Sequence, residues 1–306
     1  MRGSEDFNLP NYNDMCRDAL EQIDLSVRMI KSYPKDFQFI FGPEEVRSTY
    51  QSDKIACSIG LKGLHQAGNS ISVIRAYHQL GVRYCTMTHV ENNAFADAST
   101  SKSVEISDPE TGMMVDLSHV SEDAAKQALS CTVAPVIFSH SNARALFDCP
   151  RNVPDTVLDL VPGNGGILMV TFVPEHLCTR RSEATMDMLI DHLFCIADRI
   201  GWEHVGLGSD FDGIYHDTQI EFDSSDHVAG IASVIPGLED CSTFPNLLKA
   251  ILDRGATEAQ LAQVAGENIL RVWQGVADTT ARLQTEGMAP VEETWDQRKC
   301  WRYDGF

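Results

Sequence analysis

Apolar residues along the chain fall into two alternating patterns. Short unbroken runs occupy 55–60, 82–89, 113–119, 135–140, 166–173 and 204–212. Between them lie longer stretches in which apolar positions recur every three or four residues. Runs of the first kind are strands buried on both faces, and stretches of the second kind are amphipathic helices that cross between them. A helix is expected over 14–33, where Leu20, Ile23, Leu25, Val27 and Ile30 share a period, acidic residues come early and Lys31 comes late. A second should fill 70–81 and stop at Gly81, and a third should run over 121–130 behind Ser121. A strongly amphipathic helix is predicted over 185–200. The Thr257-Glu258-Ala259-Gln260 box should launch another over 261–276. Strand and crossover helix in alternation predict an α/β fold with a parallel sheet, in one domain spanning 1–306.

Composition narrows the classes of partner. The 306 residues hold 44 acidic and 24 basic side chains, for a formal charge of −20. Nucleic acid binding needs clustered Lys and Arg to displace counterions, so a nucleic acid partner is not expected. The first residues lack the apolar core of a secretory signal, and no window approaches the roughly 18 to 20 apolar residues of a membrane span. Nine cysteines stand singly with no CxxC pair. A cysteine zinc site is therefore not expected, and a reducing, cytoplasmic setting fits best.

Candidate chemistry collects where the strands end. The run over 82–88 leads into His89. The run from Met113 contains Asp116 and ends at His119, the next ends at His140, and the last enters Asp210-Phe211-Asp212-Gly213. In a (β/α) barrel all strand carboxyl ends open on one face, so these groups should converge there. Imidazoles with a nearby carboxylate predict metal-assisted hydrolysis. No G-x-S-x-G elbow is present to favour a serine nucleophile.

Met113–Ser121 (MMVDLSHVS), Ala134–Ser141 (APVIFSHS), Arg151-Asn152-Val153-Pro154-Asp155 and Gly206–Gly213 (GLGSDFDG) closely resemble segments of the membrane dipeptidases. So do Pro236-Gly237-Leu238-Glu239-Asp240 and 266–272, in collinear order. The resemblance implies a TIM-type barrel and a zinc-dependent dipeptidase, with cysteinylglycine-type conjugates of fungal-type secondary metabolism as one substrate class. Carried over, His119 and His140 would ligate Zn²⁺, His89 and Arg151 would bind substrate, and Asp210 would serve as acid/base at the amine end. A small dipeptide is the expected partner, with no membrane partner and a homodimer as the expected assembly.

Three features depart from that family. None of the ten histidines is followed two places later by Asp, as in the family's first metal-binding strand. Lys62 stands where the family carries a metal-bridging Glu. A solvated lysine at the mouth is the expectation there, with a carbamylated lysine as the alternative. Only six of eight barrel strands are legible, and 98–112 lacks a crossover-helix period. The barrel is accordingly expected to be incomplete and the chain a shortened form of a longer product. The second functional expectation is a catalytically impaired homologue that binds a peptide or a single metal ion.

Overall fold

The computed structural model of the protein describes residues 9–68, 70–90, 92–93, 95–99, 112–214 and 234–289. Six strands form one parallel sheet in chain order: β3 (Ile59–Lys62), β4 (Val82–Thr86), β5 (Met114–Asp116), β6 (Ile137–Phe138), β7 (Ile167–Val170) and β8 (Val205–Leu207). They match the six apolar runs. The run expected over 55–60 divides at Ser58, however. Its first half, β2 (Ile55–Cys57), pairs with β1 (Phe37–Phe39), and its second half, β3, pairs with β4 through a register shift at Ile59/Gly60. Strand β1 has three half-buried residues and no period long enough to show in the sequence.

The central strands of the large sheet present apolar side chains to both faces. Val136, Phe138, Leu168 and Val170 join Ile74, Tyr77, Ala125, Leu189, Leu193 and Ile196 in the larger core cluster. These last come from α3 (Ile71–Gln79), α4 (Glu122–Cys131) and α7 (Met186–Ile200). The alternate residues Ile137, Ile167 and Met169 belong to a second cluster with Met114, Tyr84, Val272, Trp273 and Val276. Two-sided burial explains why the strand runs are uniformly apolar. The other helices are α1 (Leu9–Ser32), α2 (Glu44–Gln51), α5 (Asp155–Leu158), α6 (Val161–Asn164), α8 (Phe244–Asp253), α9 (Glu258–Ala262) and α10 (Asn268–Thr285).

Capping residues act where expected. The side chains of Ser121 and Thr185 accept from Ala124 N and Met188 N, and Thr257 with Gln260 completes a reciprocal capping box. The helix expected over 261–276 is interrupted, because a π turn over Gln263–Glu267 separates α9 from α10.

Helix α10 lies across the amino-terminal ends of the strands. Asn268 Nδ2 donates to Val205 O at the start of β8, and the Arg271 guanidinium donates to Gly165 O and Glu203 O before β7 and β8. Gly275 packs against Pro135 before β6, and Thr280 lies beside Gly112 before β5. Val272 and Val276, both buried, seal that end, each contributing about 1.5–3 kcal/mol by burial. Among the described residues β1 and β2 form a separate two-stranded sheet and the six-stranded sheet ends at β3 and β8, so the barrel is not closed. Residues 100–111, most of the segment expected to lack a crossover helix, lie outside the described residues.

Candidate active site

With α10 across one end of the sheet, the opposite end gathers the polar residues. Lys62 closes β3, His89 follows β4, Asp116 ends β5 with His119 beyond it, His140 follows β6, and Asp210 follows β8. The five side chains expected from the sequence, His89, His119, His140, Arg151 and Asp210, meet at this rim. The rings of His89 and His119 lie 4.9 Å apart and those of His119 and His140 4.8 Å apart, centroid to centroid. The two Nε2 atoms of His119 and His140 face each other at 2.7 Å. Asp210 Oδ2 is 3.8 Å from His140 Nε2, and Arg151 Nη2 donates to His140 O at 3.3 Å.

Backbone geometry aims two of these side chains. His119 (φ 71°) and Asp210 (φ 58°) are left-handed, a region that disfavours non-glycine residues. Such conformations cost of order 1–3 kcal/mol each and persist where surrounding contacts fix them. Ser99 N donates to His119 O and Gly213 N to Asp210 O, so both turns are tied down. Asp212 sits in the 3₁₀ turn Phe211–Gly213 that follows Asp210. It also lines a cavity of about 430 Å³ together with Tyr84, His140, Asp210, Phe244 and Leu248.

A buried relay orients His140. Asp116 Oδ1 accepts from Ser118 N and Ser139 N, and its Oδ2 accepts from Thr86 Oγ1. Ser139 Oγ donates to the same Oδ2 at 2.5 Å and lies 2.6 Å from His140 Nδ1. The single hydroxyl proton is committed to the carboxylate, so the second contact requires His140 to carry its proton on Nδ1 and donate to Ser139. That tautomer leaves a lone pair on Nε2, the atom facing His119, as a metal-ligating histidine requires. The sequence reading noted Asp116 but assigned no role to Ser139. Its signal was a hydroxyl directly before His140, on a strand paired beside that of Asp116.

Electrostatics keep the imidazoles neutral. Burial pushes His140 down to about 3, with Asp210 opposing and Arg151 and Lys62 adding to the fall. Burial, then Lys62, His65 and Arg151, brings His89 to about 4. His119 is driven well below the ordinary histidine range by burial, followed by Arg151, His140 and His89. Arg151 falls to about 10 through burial, partly offset by Asp210 and Asp116, and stays a cation at neutral pH. Neutral imidazoles beside a fixed guanidinium can ligate a cation and pair with a carboxylate at one rim.

Lys62 departs from the solvated lysine expected. Its Nζ lies 2.8 Å from Asp210 Oδ1, with the lysine side chain 30% and the aspartate 10% exposed. His119 and His140 would supply two nitrogens to a metal ion. With Zn–N bonds of about 2.0–2.1 Å in tetrahedral geometry, two ligating nitrogens stand about 3.3–3.4 Å apart, so the pair needs to open by roughly 0.6 Å. Among the described residues no three His, Cys, Asp or Glu side chains gather around one point.

Comparison with known proteins gives a consistent picture. The chain matches the family profile of membrane dipeptidases, peptidase family M19, over residues 7–226 and 224–287. It is 39% identical over 306 residues to dipeptidase tcpJ of Claviceps purpurea, a match covering 95% of this chain and 67% of that one. An uncharacterized dipeptidase of Schizosaccharomyces pombe is 38% identical over 319 residues, covering 99% and 72%. Among solved structures, an amidohydrolase from Pseudomonas aeruginosa superposes with a TM-score of 0.73 at 23% identity, covering 85% of each chain. A metallopeptidase from Rhodobacter sphaeroides, bound to a phosphinate mimic of the dipeptide L-Ala-D-Ala, gives 0.74 at 22% identity, covering 84% of this chain and 74% of that one. At these identities the structures speak to the fold.

Proposed function

Because the chain belongs to the membrane dipeptidase family, we propose that it is a metal-dependent dipeptidase whose ion is zinc, held by His119 and His140. The observation that carries this reading is the facing pair of Nε2 atoms, with the His140 lone pair set by the Asp116–Ser139 relay. When bound, zinc at such a site lowers the pKa of water to about 7 and polarises a carbonyl. The remaining roles fall to the chain itself. Arg151 offers a planar fork that suits a terminal carboxylate. His89, neutral and 4.9 Å from the His119 ring, can donate to the oxygen of a tetrahedral species. Asp210 reaches the same space from β8 and can pass a proton to the leaving amine.

The cavity of about 430 Å³ is of a size for a small ligand, and Phe244 and Leu248 give it an apolar wall. Dipeptides, cysteinylglycine-type conjugates among them, are the proposed substrates. The eight described cysteines are free thiols, which supports a reducing, cytoplasmic setting.

Elemental analysis of the purified chain, with assays of glycine release from Leu-Gly and Cys-Gly, tests the reading. Bound zinc and turnover that disappears with a chelator and returns with added zinc are expected. Metal uptake without turnover would favour the impaired homologue, a reading to which the Lys62–Asp210 ion pair lends support.

A further inference from the structure

We infer that the cavity lined by Asp210 takes the side chain of the substrate's N-terminal residue, and that Asp212 selects a basic one there. The inference rests on the dipeptidase reading above and deepens it by naming a substrate class. Phe244 and Leu248 stand one turn apart on α8 and, with Leu207 and Ala265, give the cavity of about 430 Å³ its apolar lining. Phe211, next to Asp212, stacks on Phe244 at 6.0 Å between centroids, and Phe172 meets the same ring edge-on at 5.7 Å. These aromatic contacts hold the turn that bears Asp212 against α8. A carboxylate therefore stands beside a wall that suits a methylene stem.

Charge points the same way. The cavity lining includes Asp210 and Asp212 and no Lys or Arg. Asp210 is already paired with Lys62. The Asp212 side chain is exposed and makes no ion pair or hydrogen bond with a described residue. Its field reaches into the cavity at Tyr84, whose hydroxyl is held protonated well above the ordinary tyrosine range by burial, then by Asp116, Asp212 and Asp210. From Ile200 to Leu248 the sequence contains no Lys or Arg, so no neighbour along the chain offsets this charge. With the carboxylate of a dipeptide at Arg151 and its amine at Asp210, the N-terminal side chain enters this cavity. A Lys or Arg side chain then lays its methylenes along Phe244 and Leu248 and brings its charged end to Asp212.

The test compares Lys-Gly, its uncharged isostere norleucyl-glycine and Glu-Gly on the full chain. Initial rates of glycine release are measured with zinc added, and affinities by isothermal titration with a chelator present, where no turnover competes. Wild type should favour Lys-Gly over norleucyl-glycine by about fivefold, the upper end for an exposed ion pair, and should take Glu-Gly least well. Asp212→Asn should bring Lys-Gly down to the level of norleucyl-glycine. Leu248→Lys, which sets an ammonium in the wall, should turn the preference toward Glu-Gly. Equal values for Lys-Gly and norleucyl-glycine in wild type would overturn the inference, while zinc-dependent hydrolysis of both would leave the dipeptidase reading standing. An equal loss for both ligands in Asp212→Asn would assign that carboxylate to the amine and overturn the inference as well. Preferential binding of Lys-Gly without hydrolysis would uphold the basic-side-chain pocket and overturn the dipeptidase reading. Neither binding nor hydrolysis would overturn both. Thermal melts establish that the variants fold, and should Leu248→Lys fail to fold, Asp212→Asn and wild type decide the matter.

Discussion

Ser139 shows how a single hydroxyl can set the tautomer of a histidine it merely touches. Its proton goes to Asp116, so its lone pair dictates which nitrogen of His140 carries hydrogen. Ser139→Ala should leave the fold intact and weaken zinc binding by about 10- to 100-fold, as loss of a histidine's outer partner does. Isothermal titration of the variant would measure it, and wild-type affinity would dispose of the relay. His119, His140, His89, Arg151 and Asp210 were legible in the sequence because each sits at a strand end or in a motif. The Lys62–Asp210 pair was not, because 148 positions separate its members. Nothing local distinguishes a lysine that faces water from one that faces a carboxylate.

Helix α7 illustrates the element scale. Its buried face includes Leu189, Ile190, Leu193, Ile196 and also His192, whose Nδ1 accepts from Ala143 N. Burial lowers His192 to about 4, with Asp191 opposing. An ordinary histidine titrates near 6.5, so between about pH 4 and 6.5 the unfolded chain binds a proton that the folded chain does not. This contribution to stability is therefore present above pH 6.5 and is lost as pH falls toward 4. Denaturant unfolding at pH 7 and pH 4.5 should show a stability loss roughly 2 kcal/mol smaller in His192→Gln than in wild type. An identical loss in both would exclude the histidine as its source. The predicted helices are present because caps and apolar period are local properties. The break between α9 and α10 and the division at Ser58 were missed, since each depends on which neighbour a segment meets.

At the scale of the whole molecule, six parallel strands in chain order set the polar rim at one end, while α10 covers the other. A site assembled from β3 to β8 ties those strands together when it binds a ligand. Saturating zinc at about 100 times its dissociation constant should add about 2.7 kcal/mol to stability. A thermal melt should accordingly shift upward by several degrees with zinc and return with a chelator. A melt insensitive to zinc would mean that the rim binds no ion in the folded state.

The alternation of apolar runs and helical periods, the strand-end histidines and the motif order were settled by sequence, because each is a short-range pattern set by side-chain size, polarity and spacing. Three things required the chain to be folded: that β1 joins the 55–57 segment, that α10 seals the amino-terminal ends, and that Lys62 faces Asp210. Each is a contact between residues distant along the chain, and such contacts are chosen by packing and electrostatics in three dimensions.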